Sequence, residues 1–157
     1  MVRLRTVTSL SPDERRDVLE FLEAAHDLDC ARLNDHLRLD LAQGPRPGFV
    51  AVLAHDDDSQ LAGYAQASTG NEGFVVDGFV WSSFEGDIDA AQFELMRALL
   101  AALPTDHAVT WWAHADPATI ESARVLGMVP DRQLLRMHRP LPTPDTTDAP
   151  VRPFTAM

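Results

Sequence analysis

Hydrophobic and polar residues follow two different periods along the chain, and these periods predict its first strand and first helix. Residues 2–7, VRLRTV, alternate between apolar and polar positions and are rich in β-branched side chains, as in a half-buried strand. A single apolar face at helical spacing follows, made by Val18, Phe21, Leu22 and Ala25. The sequence SPDE at 11–14 predicts where this helix begins, because it fits a capping box with proline at the first helical position.

The same periods predict eight further elements. A second helix is expected over 29–42, with Leu33, Leu37 and Leu41 stacked four residues apart, and the sequence GPRPG ends it. The predicted strands are 49–55, 60–68, 73–81, 108–114 and a last extended segment over 128–141. The predicted helices are 90–103, with Phe93, Met96, Leu100 and Leu103 as its inner face, and 117–126, which Gly127 ends.

The order of these elements indicates the fold class. Three consecutive strands over 49–81 are joined by short polar connections, as in an antiparallel meander. The helix-linked strands that follow them require a mixed sheet. We therefore expect one α/β domain over residues 1–141, built as a central mixed sheet with helices on both faces.

Composition and charge restrict the partners and the compartment. The 157 residues, 45% hydrophobic and 24% charged, are ordinary for one globular domain. With 13 Lys+Arg against 24 Asp+Glu the formal net charge is −11, which argues against nucleic acid or an anionic membrane surface as a partner. The single cysteine, Cys30, is expected to be a small buried side chain and favours a cytoplasmic location. We expect neither a signal peptide nor a membrane-spanning segment.

The sequence changes character after residue 141. Residues 142–151 are rich in Pro, Thr and Asp and are predicted to form an extended linker. The final VRPFTAM, at 151–157, is similar to VRLRTV at the start of the chain, so it is predicted to be the first strand of a second domain. A polar C-terminal tail is the alternative interpretation.

This order of elements, together with several stretches of sequence, resembles the GCN5-related N-acetyltransferase (GNAT) family. LAGYA at 61–65 resembles the third strand of that family, and VDGFVW at 76–81 resembles the fourth. Residues 111–141, WWAHADPATIESARVLGMVPDRQLLRMHRPL, are similar to the end of the N-terminal domain in the mycothiol synthase family. The resemblance implies a protein with two such domains in tandem, in which the C-terminal domain acetylates the cysteinyl amine of a glucosaminyl-inositol conjugate.

The resemblance also implies where a cofactor binds. In GNAT proteins the fourth strand pairs with the pantetheine arm of acetyl-coenzyme A. The motif Q/R-x-x-G-x-G/A before the next helix receives the pyrophosphate, since its glycines let backbone N–H groups approach the anion. The candidate cofactor-binding residues that correspond in this sequence are Phe79, Val80, Trp81 and Gly86.

The junction that corresponds to this motif, SSFEGDIDAAQ at 82–92, departs from it. The junction has one glycine, no Lys or Arg, and the three acids Glu85, Asp87 and Asp89. One interpretation is a bent backbone that holds a phosphate through Gly86. The favoured interpretation is a capped helix, with Asp89 as the cap and Gln92 three residues on, because carboxylates satisfy the first N–H groups and repel phosphate. We therefore expect no cofactor in this segment.

The groups needed for acid–base catalysis are also incomplete. The family's general-acid tyrosine corresponds to a position near Ala123, and the only tyrosine, Tyr64, is expected to pack in a hairpin with its hydroxyl at the surface. Asp77 and Glu72 are the candidates for a general base. Burial could raise the pKa of Asp77, but an outward-facing or hydrogen-bonded structural aspartate is the favoured interpretation. No catalytic residue is assigned.

Histidines and tryptophans give weaker signals. Four of the six histidines form two pairs, neither with helical or zinc-site spacing, so no metal site is predicted: His26 with His36, and His107 with His114. Trp111 and Trp112 are neighbours on a predicted strand and should point to opposite faces. Trp112, His114 and the end of the fourth strand are the expected lining of any residual pocket.

Three functional hypotheses follow. The first is a degenerate, non-catalytic N-terminal half of a mycothiol-synthase-like enzyme, partnered by a second GNAT domain of the same protein or by a homo-oligomer. The second is a stand-alone protein-interaction module. The third is an active N-acetyltransferase that grips the acyl donor through backbone contacts along 79–81. The first is favoured because the fold pattern is kept while the phosphate motif and the tyrosine are missing.

Overall fold

The computed structural model describes residues 2–29, 33–113 and 117–131, and their elements follow the predicted order. These elements are β1 (Arg3–Val7), α1 (Pro12–Asp29), α2 (Asp35–Gln43), β2 (Val50–His55), β3 (Leu61–Thr69), β4 (Phe74–Val80), α3 (Ile88–Ala101), β5 (Val109–Trp111) and α4 (Pro117–Val125). Residues 128–131 form neither helix nor strand, and the rest of the predicted segment 128–141 lies outside the described residues. The linker 142–151 and the segment 151–157 lie outside them as well.

The strands form one mixed sheet in the order β1-β2-β3-β4-β5. Strands β1 to β4 are antiparallel neighbours, whereas β5 runs parallel to β4. The predicted meander and mixed sheet are therefore confirmed. The ladder between β4 and β5 joins 74–76 to Val109–Trp111. Within the described parts of the chain, the second half of β4 has no strand partner on the edge that faces β5.

Two apolar clusters cover the two faces of the sheet, which confirms helices on both sides. Alternate side chains of a strand point to opposite faces, so Val52 packs in one cluster and its neighbour Leu53 in the other. On one face α3 buries Ala91, Leu95, Met96 and Leu99. On the other face α1 and α2 bury Val18, Phe21, Leu22, Leu37 and Leu41.

The predicted inner face of α3 is partly wrong. Met96 and Leu103 are buried, but Phe93 and Leu100 are only half-buried. The stripe that contacts the sheet instead runs through Ala91, Leu95 and Leu99, which are spaced four residues apart. Because apolar residues lie on both flanks of this helix, its sequence pattern does not fix which flank faces the sheet.

Local capping groups fix the ends of the helices. The capping box of α1 is confirmed: the Ser11 N–H donates to the Glu14 carboxylate (2.8 Å), and the Glu14 N–H donates to Ser11 Oγ (3.2 Å). Helix α2 begins later than predicted, because Asn34 caps it by accepting the N–H of His36 (3.0 Å). Gly127, at φ +81°, ends α4 as predicted.

Candidate functional site

The outer edge of β4, on the side away from β3, is the place where a partner strand or a bound chain would pair. The Trp81 N–H donates to Ala62 O on β3 (2.9 Å), whereas the Phe74 N–H donates to Ala108 O beside β5 (2.8 Å). Backbone groups alternate in direction along a strand, so Gly78 and Val80 point to the same side as Phe74. The backbone groups of these two residues face the edge that β5 leaves uncovered.

A glutamine from α3 closes this edge. Gln92 Nε2 donates to Gly78 O (2.9 Å), and Gln92 Oε1 accepts the N–H of Val80 (2.9 Å). The remaining N–H on this stretch, that of Gly78, donates to Oδ1 of its neighbour Asp77 (2.9 Å). Side chains of the protein itself therefore take the place of the peptide units of a neighbouring strand.

The start of α3 is closed in a similar way. Asp87 has extended backbone angles (φ −78°, ψ 101°), and its carboxylate accepts the N–H of Ala90 (3.0 Å). The predicted cap Asp89 is wrong, because Asp89 already lies inside the first helical turn, and an N-cap must precede that turn. Gln92 does not complete a capping box, since its amide reaches β4 instead.

Gly86 lies in the loop just before this cap and is exposed. Its N–H donates to Phe84 O (3.0 Å), so this donor is already used inside the loop. A Cβ added at Gly86 would lie 2.5 Å from the ring of Phe84, whose side chain packs against the α3 cluster. The absence of a side chain at Gly86 is therefore explained by the packing of Phe84. As a cofactor-binding residue Gly86 stays a prediction.

The other three candidate cofactor residues lie on β4, with side chains on opposite faces. Phe79 stacks on Phe21 of α1, with ring centroids 5.5 Å apart and planes 16° apart. Trp81 meets the same ring edge-on, at 6.0 Å and 84°. Val80 points to the other face, into the cluster under α3. The structure thus brings Phe79 and Trp81 together through Phe21, and separates both from Val80.

A chain of buried polar side chains lies on β3 under α2. The Tyr64 hydroxyl donates to Gln66 Oε1 (2.9 Å), and Gln66 Nε2 donates to Ser68 Oγ (3.1 Å) and to Leu37 O (3.2 Å). The predicted surface position of the Tyr64 hydroxyl is wrong, because β3 is the central strand and Tyr64 is fully buried. Burial, with a smaller contribution from the negative charge of Asp40, raises the pKa of Tyr64 above its ordinary value.

The two candidates for a general base occupy different environments. Asp77 is buried; its Oδ2 accepts the N–H of Asn34 (2.9 Å) at the start of α2, and its Oδ1 accepts the N–H of Gly78. The favoured interpretation of Asp77, a hydrogen-bonded structural aspartate, is confirmed. Glu72 is exposed in the turn before β4. Ala123, which the sequence resemblance places near the family's tyrosine, lies half-buried on α4 and has no titratable side chain.

The tryptophans and histidines are also placed, apart from the residues outside the description. Trp111 packs against the α3 cluster, whereas Trp112, the residue after the end of β5, is exposed. That the two side chains point to opposite faces of the sheet stays a prediction. His107 lies edge-on to Phe74, at 5.6 Å between ring centroids. His114 and Cys30 fall outside the described residues. Across 2–29, 33–113 and 117–131, no three or more His, Cys, Asp or Glu side chains are grouped as metal ligands would be.

Two residues that matter at this site were not recognised as such from the sequence. Gln92 was expected to take part in capping, and Asp87 was seen only as one of three acids. The signal for Gln92 was available in principle, because a glutamine one turn inside a helix after β4 can reach the strand edge.

None of the helices in the described parts of the chain has the length and apolar character needed to cross a membrane.

Comparison with known proteins gives two curated relatives of about twice this length. The mycothiol acetyltransferase of Thermobispora bispora is 36% identical over 141 residues, which cover 85% of this chain and 44% of that protein. The mycothiol acetyltransferase of Kytococcus sedentarius is 33% identical over 166 aligned positions, covering 97% of this chain and 51% of that protein. The chain therefore spans about half the length of the curated relatives it matches. No family model matches it.

Solved structures match over most of the chain. An aminoglycoside acetyltransferase from an uncultured soil metagenomic sample, in complex with sisomicin, has a TM-score of 0.55 and 12% identity, over 89% of this chain and 96% of its own. The NAA60 protein of Arabidopsis thaliana, in complex with a bisubstrate analogue, has a TM-score of 0.51 and 17% identity, over 84% of this chain and 86% of its own. Identities this low establish the fold alone.

The fold, the element order and the curated relatives agree with one another. The mixed sheet with its helices is the fold of the acetyltransferase structures, and the sequence identity links the chain to proteins named mycothiol acetyltransferase. The chain is a member of the GNAT family that resembles mycothiol acetyltransferase.

Proposed function

We propose that this chain is a non-catalytic GNAT domain, the N-terminal half of a mycothiol-acetyltransferase-like protein. In this proposal the other half binds acetyl-coenzyme A and acetylates the cysteinyl amine, while this half supports it. The observation that carries the proposal is the start of α3, where Asp87 caps the helix with its own carboxylate. The residues at this junction do not fit a pyrophosphate, because the N–H groups of Gly86 and Ala90 are already used internally and the charges of the three acids have the wrong sign.

Electrostatics supports the proposal. Glu85, Asp87 and Asp89 are all exposed at the junction. A carboxylate ~6 Å from a phosphate in a mostly aqueous setting costs on the order of 1 kcal/mol. Three such carboxylates facing several phosphate charges lower affinity by about 100-fold or more. The nearest following cation in the sequence, Arg97, is paired with Glu94 on the surface of α3.

The side chains at the positions expected for acid–base catalysis also support the proposal. Asp77 holds two backbone N–H groups, so taking up a substrate proton would weaken those bonds. Tyr64 is buried, and its hydroxyl is donated to Gln66. Ala123 stands where the family's general acid would be. None of these three residues can serve a leaving thiolate or an attacking amine.

Calorimetric titration with acetyl-coenzyme A tests the proposal. We expect no saturable heat at millimolar cofactor. The variant Glu85→Gln, Asp87→Asn, Asp89→Asn keeps a capping side chain at residue 87 while removing three charges. We expect measurable binding heat from this variant where the wild type gives none, because the loss of the three charges raises affinity by about 100-fold. The matched control neutralises the three exposed acids Glu20, Glu23 and Asp27 on α1 and should leave the binding heat as it is in the wild type. Micromolar binding by the wild type would overturn the proposal.

A further inference from the structure

The edge of β4 at Gly78 and Val80 has a simple complement. It presents one carbonyl and one N–H on the same side of the strand, two residues apart, and each is 2.9 Å from Gln92. An extended chain that carries a secondary amide offers the matching donor and acceptor, as a neighbouring strand does. The primary amide of Gln92 has the same donor and acceptor, so it mimics one peptide unit of such a chain.

Gln92 is well placed to outcompete an external ligand. It projects from the second turn of α3, where its neighbour Ala91 and the residue Leu95 one turn on are buried against the sheet. The helix therefore holds the glutamine next to the strand, and little freedom is lost when its amide bonds to β4. A free ligand must instead lose translational and rotational freedom to make the same two hydrogen bonds.

The neighbouring groups on this edge are bonded in other ways. The Gly78 N–H is already taken by Asp77, which Asn34 also holds in place. The ladder with β5 covers residues 74–76. The pair formed by Gly78 O and the Val80 N–H is thus the part of the described edge that a single side-chain movement would free.

We propose that Gln92 is an internal occupant of the β4 edge, which holds closed a position for an extended chain bearing a secondary amide. Withdrawal or removal of the Gln92 side chain opens this position. The inference deepens the proposed function and rests on one part of it, namely that no acyl donor occupies this edge in the wild-type chain.

Amide hydrogen exchange followed by NMR tests the closed state. We expect the Val80 amide to exchange roughly tenfold faster in Gln92→Ala than in the wild type, because it loses its acceptor. If Gln92→Ala does not fold, Gln92→Leu, which keeps the size of the side chain and its helix propensity, should show the same faster exchange of the Val80 amide. Gln43→Ala, at an exposed glutamine near the end of α2, is the matched control and should leave the Val80 amide unchanged.

Pantetheine is the probe for the open state, because it is an extended chain with two secondary amides and no phosphate. At millimolar concentration it should restore protection of the Val80 amide and shift its resonance in Gln92→Ala and Gln92→Leu, but not in the wild type. Equal Val80 exchange in the wild type and the variants, or equal pantetheine shifts in both, would overturn the inference. Since pantetheine carries no phosphate, this result is independent of the acids at the α3 junction, which the acetyl-coenzyme A titration tests.

Discussion

The two halves of the outer edge of β4 are satisfied in different ways. Residues 74–76 pair with a strand, β5, whereas the groups of Gly78 and Val80 are held by the side chains of Asp77 and Gln92. A backbone group hidden from water must find a partner in either case. The difference is that a ladder is shared among several residues, while the second half depends on two side chains. The second half is therefore the part of the edge where the hydrogen-bonding groups of a ligand can replace those of the protein's side chains.

The start of α3 extends the comparison beyond the strand. Here, too, an N–H group that could meet an anion, that of Ala90, donates to the protein's own carboxylate at Asp87. Strand edge and helix start lie next to each other in the sequence, and both are filled from within. The fold of the acetyltransferase structures is thus retained, while the strand edge and the helix start are both bonded to the protein's own side chains.

The largest expected effect comes from breaking the half of β4 that pairs with β5. Phe74 is buried, begins the ladder and contacts His107. Phe74→Ala should lower the free energy of unfolding by about 3–5 kcal/mol, because it removes a large core side chain. Chemical denaturation measures this loss. The half-buried neighbour Val75, on the other face, gives the control Val75→Ala; a loss for Phe74→Ala no larger than that of the control would contradict the prediction.

Removing the buried carboxylate of the second half should cost somewhat less. Asp77→Ala leaves the N–H groups of Asn34 and Gly78 without their acceptor, for which we expect a loss of about 2–4 kcal/mol in unfolding free energy. Asp77→Asn keeps one side-chain oxygen as an acceptor and should lose about half as much. Urea denaturation compares the two variants, and a loss below 1 kcal/mol for Asp77→Ala would show that these hydrogen bonds are not needed.

The cap of α3 should contribute less again. Asp87→Ala removes the acceptor for the Ala90 N–H, so we expect a loss of about 1 kcal/mol in unfolding free energy. Asp89→Ala is matched in charge and lies two residues away, inside the helix, and should cost less than Asp87→Ala. Thermal unfolding of both variants decides between these two caps. A larger loss for Asp89→Ala than for Asp87→Ala would contradict this prediction and support Asp89, the cap predicted from the sequence.

The smallest expected effect concerns the other helix that begins with a carboxylate contact. Hydrogen bonds from the backbone of Ser11 and then from Arg5 lower the pKa of Glu14 from 4.5 to about 2. A carboxyl whose pKa is lowered in the folded state stabilises the fold above its unfolded pKa, and this contribution is lost as the pH falls towards 2. Because the pair is partly exposed, Glu14→Gln should cost only about 0.5–1 kcal/mol at pH 7.

Unfolding of wild type and Glu14→Gln at a series of pH values measures this contribution. The two proteins should differ above about pH 5 and converge between the unfolded pKa and pH 2. A difference that is constant with pH would mean that the charge of Glu14 is not responsible.

Much of the fold could be predicted because its signals are local. Val18, Phe21, Leu22 and Ala25 show the inner face of α1 by their spacing alone, and all four are buried. Ser11 and Glu14 show its start, since a capping box needs only residues three apart. The strand order follows from the short connections of the meander.

The details of the site depend on contacts between distant residues, which spacing does not reveal. Tyr64 is buried because β3 is central and α2 covers it, whereas the hairpin pattern alone suggested a surface hydroxyl. The choice of Asp87 rather than Asp89 as the cap depends on which backbone is extended before the first turn. The contact of Gln92 with β4 requires knowing that β5 has ended at Trp111.

The most direct test of the account is a crystal structure of this chain grown with millimolar acetyl-coenzyme A. We expect Gln92 to remain bonded to Gly78 and Val80, Asp87 to remain the cap of α3, and no cofactor to lie between them. Density for the pantetheine arm along β4, with its pyrophosphate beside Gly86 and the three acids turned away, would contradict the account.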